Sequence, residues 1–190
     1  SFKGILSNRS AVACLIGDTL RSAAFVAIVL YAISFIRQRF LVPTDLASII
    51  LLIGALCYAL GSIVSGRFVT RFGRKSSTVI TALLSGIFTV SFVYAPILWL
   101  SVLLIFVASW FYGTLASAAN SLTLEQVPRR RGTMMSMDSA VINLGSAFGT
   151  VVGGPVLLSF SYEGLGSTLG VMCIAAAIVI SLLAADPTRT

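Results

Sequence analysis

The sequence contains no histidine, and only 10% of its residues are charged. Without histidine it lacks the commonest protein metal ligand and can build neither a Ser-His-Asp nor a Cys-His catalytic couple. Its three cysteines, Cys14, Cys57 and Cys173, lie far apart inside apolar runs, which is typical of small buried side chains and not of a metal site or a disulfide framework. We therefore expect no metal, no cofactor and no enzymatic activity.

The few charges present are mostly basic, and the formal net charge is +7. The basic residues stand in clusters between apolar runs and do not alternate with aromatic residues on a polar segment, so the pattern disfavours a nucleic-acid partner. Apolar residues make up 57% of the chain and the mean hydropathy is +1.02, far above the balance of soluble domains. The chain is predicted to be a membrane protein with the lipid bilayer as its partner.

Six apolar runs are each long enough to cross a hydrocarbon core, which takes about 20 helical residues. Their length, without strand-like alternation, predicts an all-α polytopic fold in a single six-helix domain over residues 1–190. The predicted transmembrane helices span about residues 10–36, 45–65, 76–95, 97–122, 132–160 and 164–185.

Lys and Arg fall almost entirely on one side of the predicted membrane. If six spans alternate, ten of the thirteen cations lie at the two termini and in the loops after the second and fourth helices, against Arg37 and Arg39 on the other side. Short cytoplasmic loops carry the excess of positive charge, so both termini are predicted to be cytoplasmic. The expected location is the plasma (cytoplasmic) membrane.

The loop after the second predicted helix, GRFVTRFGRK, holds four of these cations and two glycines. It resembles the signature loop of the major facilitator superfamily, Gly-x-x-x-Asp-Arg-x-Gly-Arg-Lys/Arg, with Thr70 in place of the usual Asp. Gly66 is expected to let two helix ends approach closely, and Gly73 to permit a left-handed turn. The residues assigned to this cytoplasmic loop motif are Gly66, Arg67, Arg71, Gly73, Arg74 and Lys75.

A second loop supports the resemblance. LEQVP at residues 124–128, followed by Arg131-Gly132-Thr133, is similar to the cytoplasmic link between helices ten and eleven of exporters in this family. In the family the signature loop is best preserved in the first half, so the missing acidic residue at Thr70 points to the second half. The resemblance implies the C-terminal six-helix half of a drug/sugar exporter-like transporter, built as a 3+3 inverted repeat.

The function implied by the resemblance is secondary active transport of a small molecule by alternating access, with proton-coupled export (antiport) preferred. The implied partners are the missing N-terminal six-helix half, a small-molecule substrate and protons. Two other classes stay open. One is a self-associating six-helix protein acting as a small carrier or assembly subunit, and the other is a membrane-embedded enzyme, which the lack of histidine disfavours.

Three charged residues, Asp18, Arg21 and Asp138, fall inside predicted spans. A charge at the bilayer centre costs about 2.5 to 3.5 kcal/mol on insertion scales, so all three are expected to face protein or water. Asp18 and Arg21 lie three residues apart on one helical face, and we interpret them either as a proton-carrying pair or as a static pair that fixes helix packing. Asp138 is predicted to be a gate contact with Arg71 or with an arginine of the other half.

Aromatic, amide and small side chains supply the remaining candidates. Trp110 and Tyr112 lie on a helix whose family counterpart lines the central cavity, and they are expected either to form a binding wall or to fill space between helices. Asn120 is either an interhelical hydrogen bonder or a cavity residue. A smooth stripe on the fifth helix is predicted to pack against a neighbour in this bundle or against the missing half, and it consists of Gly145, Gly149 and Gly153.

Overall fold

The chain folds into helices joined by short connections, and the computed structural model describes residues 3–186, with side chains from residue 5 onward. Arg189 and the side chain of Lys3, both counted among the cytoplasmic cations, lie outside the described part, as do residues 187–190 of the predicted domain. A 3-10 turn at Pro128–Arg130 precedes the last helix. The helices are α1 (Lys3–Leu6), α2 (Arg9–Phe40), α3 (Thr44–Phe72), α4 (Arg74–Tyr94), α5 (Leu98–Glu125) and α6 (Arg131–Leu183).

Five helices in the described part of the chain are long and apolar enough to cross a membrane, where the sequence predicted six. The difference lies in α6, whose 53 residues include nearly all of the last two predicted spans. The expected connection between them is reduced to one non-helical residue, Ser161, with φ of 60° and ψ of −171°. Helical structure continues on both sides of Ser161, so these two predicted spans join without a loop of their own.

The chain reverses direction at Ser161, which divides α6 into a first arm (residues 131–160) and a second arm (residues 162–183). The first arm runs beside α2 in the same direction. Halfway along it, Gly145 lies against the backbone of Thr19. Two turns later Gly153 lies against the ring of Tyr31, further along α2.

The second arm runs back along α4 and returns to the start of α2. Gly166, soon after the reversal, lies against Val93 near the end of α4. Just beyond the arm, the Ala185 N–H donates to Ser10 Oγ at 2.7 Å. The last residues of the described part therefore lie beside the first turn of α2.

Close backbone contacts hold the helices together: α2 packs chiefly on α6, α3 on α5, and α4 on both α5 and α6. At the α3–α5 crossing, a Cβ on Gly113 would lie 1.9 Å from the Tyr58 carbonyl oxygen. Deeper in the bundle, the rings of Phe35 and Phe92 meet edge to face with centroids 4.9 Å apart. Since apolar helices gain little by leaving lipid, such close packing of small residues is what keeps them associated.

The predicted glycine stripe of the first arm packs within the bundle, on α2. A Cβ at Gly149 would lie 2.1 Å from the Ala23 carbonyl oxygen, and one at Gly145 would lie 2.3 Å from that of Thr19. Of the two interpretations of the stripe, the structure therefore shows the contact inside this bundle. The opposite side of the arm exposes large apolar side chains, among them Leu144, Phe148, Val151 and Leu158.

Apolar side chains also cover the outside of the bundle. α3 is the least enclosed of the membrane-length helices, and it exposes Leu52, Leu56 and Ile63. A surface of this kind is stable only against lipid or against further apolar helices.

Candidate functional site

The charged residues predicted inside the membrane helices meet in one buried cluster. Asp18 on α2 is fully buried, and Arg21, one turn later, is 8% exposed. The Arg21 Nε donates to Asp18 Oδ1 in an ion pair. The spacing of three residues places both side chains on one helical face, which is how the sequence predicted this pair.

Two polar residues of α5 complete the hydrogen bonds of the pair. Asn120 Oδ1 accepts from Arg21 Nη2 at 3.0 Å, and Thr123 Oγ1 donates to Asp18 Oδ2 at 2.8 Å. Asn120 therefore is an interhelical hydrogen bonder, although its side chain also remains exposed. Thr123 was missed by the sequence analysis. Its spacing of three residues from Asn120 repeats the spacing of Asp18 and Arg21, and that match was the available signal.

Asp138 on the first arm of α6 reaches the same cluster. It is 6% exposed and interacts electrostatically with Asp18 and Arg21 across the α2–α6 interface. The predicted contact with Arg71 is not among the ion pairs of the described residues, and the Arg71 guanidinium carbon lies 5.6 Å from the centre of the Phe72 ring at the end of α3. The rotation of the first arm about its axis, set by the glycine stripe on α2, turns Asp138 inward.

The cluster holds two carboxyl groups and one guanidinium inside helices of membrane length. Left facing lipid, each charge would cost about 2.5 to 3.5 kcal/mol on insertion scales. Here the guanidinium offsets one carboxylate, and hydrogen bonds from both α2 and α5 satisfy that pair. With all three groups ionised, one negative charge remains without a counter-charge.

The arginine-rich loop forms a separate polar surface, which we call the motif end because α3 meets α4 there. Gly73 joins the two helices with φ of 82° and ψ of 161°, a positive φ as expected of this glycine. The close approach predicted at Gly66 is absent, because a Cβ built there meets nothing within 4 Å. Arg67 is exposed, and Lys75 is half-buried in the first turn of α4.

Glu125 ties this loop to the beginning of α6. Its Oε1 lies 3.2 Å from Arg74 Nη1 and 2.6 Å from Arg131 Nη2. One carboxylate at the end of α5 therefore pairs with arginines from both loops whose sequences resemble loops of the family. Because all three side chains are partly exposed, these are surface ion pairs that water and salt screen.

The next residue, Gln126, adds uncharged contacts at the motif end. Its side-chain Nε2 donates to the Ala185 carbonyl at 3.1 Å, and its Oε1 accepts from Ser10 Oγ. Asn8 Nδ2 donates to the Gln126 carbonyl at 3.3 Å. These bonds tie together the start of α2, the end of α5 and the residues after α6.

The two predicted aromatic residues of α5 have different environments. Tyr112 is buried, and its hydroxyl lies 3.1 Å from Cys173 Sγ and 3.4 Å from Thr89 Oγ1. It also lines an apolar cavity of about 320 Å³ between α2, α3 and α5, together with Phe25. Trp110 is half-buried and does not line that cavity.

These features define a polytopic α-helical membrane protein that gathers its intramembrane charges inside the bundle. The family model described as Major Facilitator Superfamily matches residues 19–190, and the chain belongs to that superfamily. Members of the superfamily are transporters, so the chain serves the movement of a small molecule across a membrane. A search of curated proteins gave no match to the sequence.

Proposed function

We propose that the chain is the C-terminal six-helix half, helices seven to twelve, of a facilitator that works by alternating access. On this proposal α2 to α5 supply four membrane crossings, and the two arms of α6 supply two more. Each arm exceeds the roughly 20 residues that a crossing needs. The contacts on either side of Ser161 support antiparallel crossings.

The pairing of the helices supports a 3+3 inverted repeat. If α2, α3 and α4 form one unit, then α5 and the two arms of α6 form the other. α3 packs on the first helix of the other unit, α5, and the first arm packs correspondingly on α2. This exchange of partners is what a two-fold axis in the membrane plane produces.

The inward-facing end on this proposal is the motif end, where Arg74, Glu125 and Arg131 meet. The excess of Lys and Arg in the loops at that end supports its placement in the cytoplasm. The missing N-terminal half covers the exposed apolar sides of α3 and the first arm. Rocking of the two halves then opens a central site to one side of the membrane and afterwards to the other.

The observation that carries the proposed function is the ionic cluster around Asp18, buried between α2, α5 and α6. An ionisable group inside a membrane bundle is costly and marks a coupling or transport pathway. We therefore assign proton coupling to this cluster and export of a small, fairly apolar compound to the transporter. The apolar cavity beside Tyr112 supports that substrate class. A static Asp18–Arg21 pair is the competing interpretation.

The test is transport by the full-length protein in liposomes, with ethidium as a fluorescent probe and an imposed pH gradient. Asp18→Asn is expected to abolish the part of transport that depends on the gradient. Asp45→Asn is the matched control, because Asp45 is an exposed carboxylate in the first turn of α3. Unchanged gradient-driven transport in Asp18→Asn would support the static pair and refute coupling at the cluster.

The number of membrane crossings and the orientation of the chain in the membrane can be tested in intact cells. Glu163→Cys and Arg129→Cys place thiols in exposed positions next to the reversal and before α6. A water-soluble maleimide is expected to label the first from outside the cell and the second only after permeabilisation. Labelling of both from one side would contradict two crossings by α6.

A further inference from the structure

The carboxyl group of Asp138 is the one side-chain group of the described cluster with an unpaired buried oxygen. Its Oδ1 makes no hydrogen bond with any described residue, although Asp138 is only 6% exposed. Asp18, by contrast, has a donor on each oxygen, Arg21 on Oδ1 and Thr123 on Oδ2. Buried polar atoms without partners are rare in folded proteins, so the unpaired oxygen needs a physical explanation.

The neighbours of Asp138 disfavour full ionisation of the cluster. Across the interface with α2, Asp138 faces Asp18 and Arg21. It also interacts electrostatically with Cys14, and Cys14 interacts in the same way with Lys75 at the start of α4. α5 contributes only a neutral amide and a neutral hydroxyl to the cluster. One guanidinium can neutralise one carboxylate, and a second carboxylate beside the first is repelled by it in a low-dielectric interior.

The hydrogen bonds decide which carboxyl group is held ionised. Asp18 is the partner of Arg21 and also accepts from Thr123, and both donors favour a carboxylate there. Asp138 lies on the face of the first arm that packs on α2, between Met134, which shares an apolar cluster with Leu15, and Gly145, which lies against Thr19. Asp138 and Asp18 are therefore neighbours across this interface, and two neighbouring carboxylates cannot hydrogen-bond to each other until one of them holds a proton. A proton on Asp138 therefore supplies the missing donor and removes the excess negative charge in one step.

We propose that Asp138 carries the proton exchanged during transport, and that Asp18 is the ionised acceptor that holds this proton in place. On release the O–H bond of Asp138 breaks, the proton passes to water, and a carboxylate remains; uptake is the reverse, and nothing is oxidised or reduced. The proposal deepens the proposed function and rests on it for the link to transport. Protonation of Asp138 itself can be measured without a substrate.

Infrared difference spectra between acidic and alkaline pH detect the carboxylic-acid C=O stretch in the reconstituted full-length protein. Wild type is expected to show a buried carboxylic-acid band that disappears at alkaline pH. Asp138→Asn is expected to lose the band, whereas Asp138→Glu is expected to keep it at a displaced frequency. The exposed-carboxylate control Asp45→Asn is expected to match wild type. A band that persists in Asp138→Asn, or that is not displaced in Asp138→Glu, would overturn the assignment.

The dependence of stability on pH gives a second readout, with opposite expectations for the two carboxyl groups. If the folded protein binds a proton that the unfolded chain has lost, stability falls as the pH rises through the titration of the folded site. Wild type is therefore expected to melt at lower temperature as the pH rises. Asp138→Asn, which imitates the protonated form and keeps the Asp18–Arg21 pair, is expected to melt independently of pH and above wild type at alkaline pH.

Asp18→Asn removes the counter-charge of Arg21 and leaves one acceptor oxygen for the two donors Arg21 and Thr123, so it is expected to melt below wild type at every pH. The opposite pattern, with Asp18→Asn independent of pH and Asp138→Asn destabilised throughout, would place the proton on Asp18 and overturn the proposal. Replacement of choline by sodium at constant pH and ionic strength tests for a metal cation. Loss of the wild-type infrared band in sodium would show that the site takes that cation.

Ethidium transport separates this inference from the proposed function. Asp138→Asn is expected to lose the ethidium accumulation driven by the pH gradient, whereas Asp45→Asn, outside the cluster, is expected to keep it. Gradient-driven accumulation that survives in Asp138→Asn would refute the exchanged proton at Asp138 while leaving transport established. If wild type moves no ethidium but the spectra and the melts behave as expected, the protonation of Asp138 stands and export of this compound class fails.

Discussion

The contact of Gly149 with α2 allows a sharp test of how the bundle is held together. A Cβ at this position would lie 2.1 Å from the Ala23 carbonyl oxygen, where ordinary contact begins at 3.4 Å. The obstructing atoms belong to the backbone, so no side-chain rotation can relieve the clash. Gly149→Ala must therefore push the first arm of α6 away from α2.

The matched control is Gly54→Ala on α3. Gly54 is also a buried helical glycine, but a Cβ there would meet its nearest atom, Ser109 Oγ, at 3.6 Å. Both substitutions gain about 0.8 to 1.0 kcal/mol of helix propensity, so the difference between the two variants reports the clash. Overpacking of this kind costs about 1–3 kcal/mol.

The assay is a thermal melt followed with a maleimide dye that fluoresces on reaction with thiols. Cys14 and Cys173 are buried and become reactive on unfolding, and a Cys57→Ser background removes the half-buried thiol. A difference of 1 kcal/mol shifts the midpoint by about 2–4 °C for a chain of this size. Gly149→Ala is expected to melt roughly 4–8 °C below Gly54→Ala for a clash of about 2 kcal/mol. Equal midpoints would refute the close α2–α6 contact.

Three further predictions use the same melt. Gly73→Ala is expected to cost about 1–3 kcal/mol because of its φ of 82°, whereas Gly66→Ala, with open space around its Cβ, is expected to cost nothing; equal losses would contradict this. Arg21→Met is expected to cost about 3–5 kcal/mol because Asp18 loses its counter-charge, and adding Asp18→Asn should recover much of that loss, so additive losses would argue against the pair. Glu125→Gln is expected to cost at most about 1 kcal/mol, and a loss that does not shrink with added salt would rule out a screened interaction.

Hydropathy and spacing predicted most of the helices because lipid imposes a minimum length and forbids unpaired backbone groups. α2 to α5 contain the first four predicted spans, apart from one outermost residue in each of two of them, Ala95 and Ile97, and mostly extend beyond them. The join at Ser161 was not predictable in this way. Tyr162-Glu163-Gly164 is a polar interruption typical of a loop, yet the chain reverses there through one residue and continues as helix.

The part of the site that lies on a single helix was predictable from the sequence. The spacing of Asp18 and Arg21 places them on one face whatever surrounds them, and the pair is present. Contacts between helices depend on the rotation of each helix about its axis, which the sequence leaves open. Asp138 consequently faces Asp18 and not Arg71, and Thr123, a neutral residue in an apolar run, joins the cluster.

Ser161 is the one non-helical residue between the two arms of α6, so no flexible loop separates them. A flexible loop would absorb relative tilting of two helices, but a single residue offers only two soft torsions. A tilt of the first arm therefore also displaces the second arm. The Ala185–Ser10 hydrogen bond connects the end of the second arm to the first turn of α2. The first arm itself packs on α2, so contacts link these three segments in a closed ring, which favours their moving together. α3, anchored mainly by α5, is then the segment left with the greatest freedom to swing.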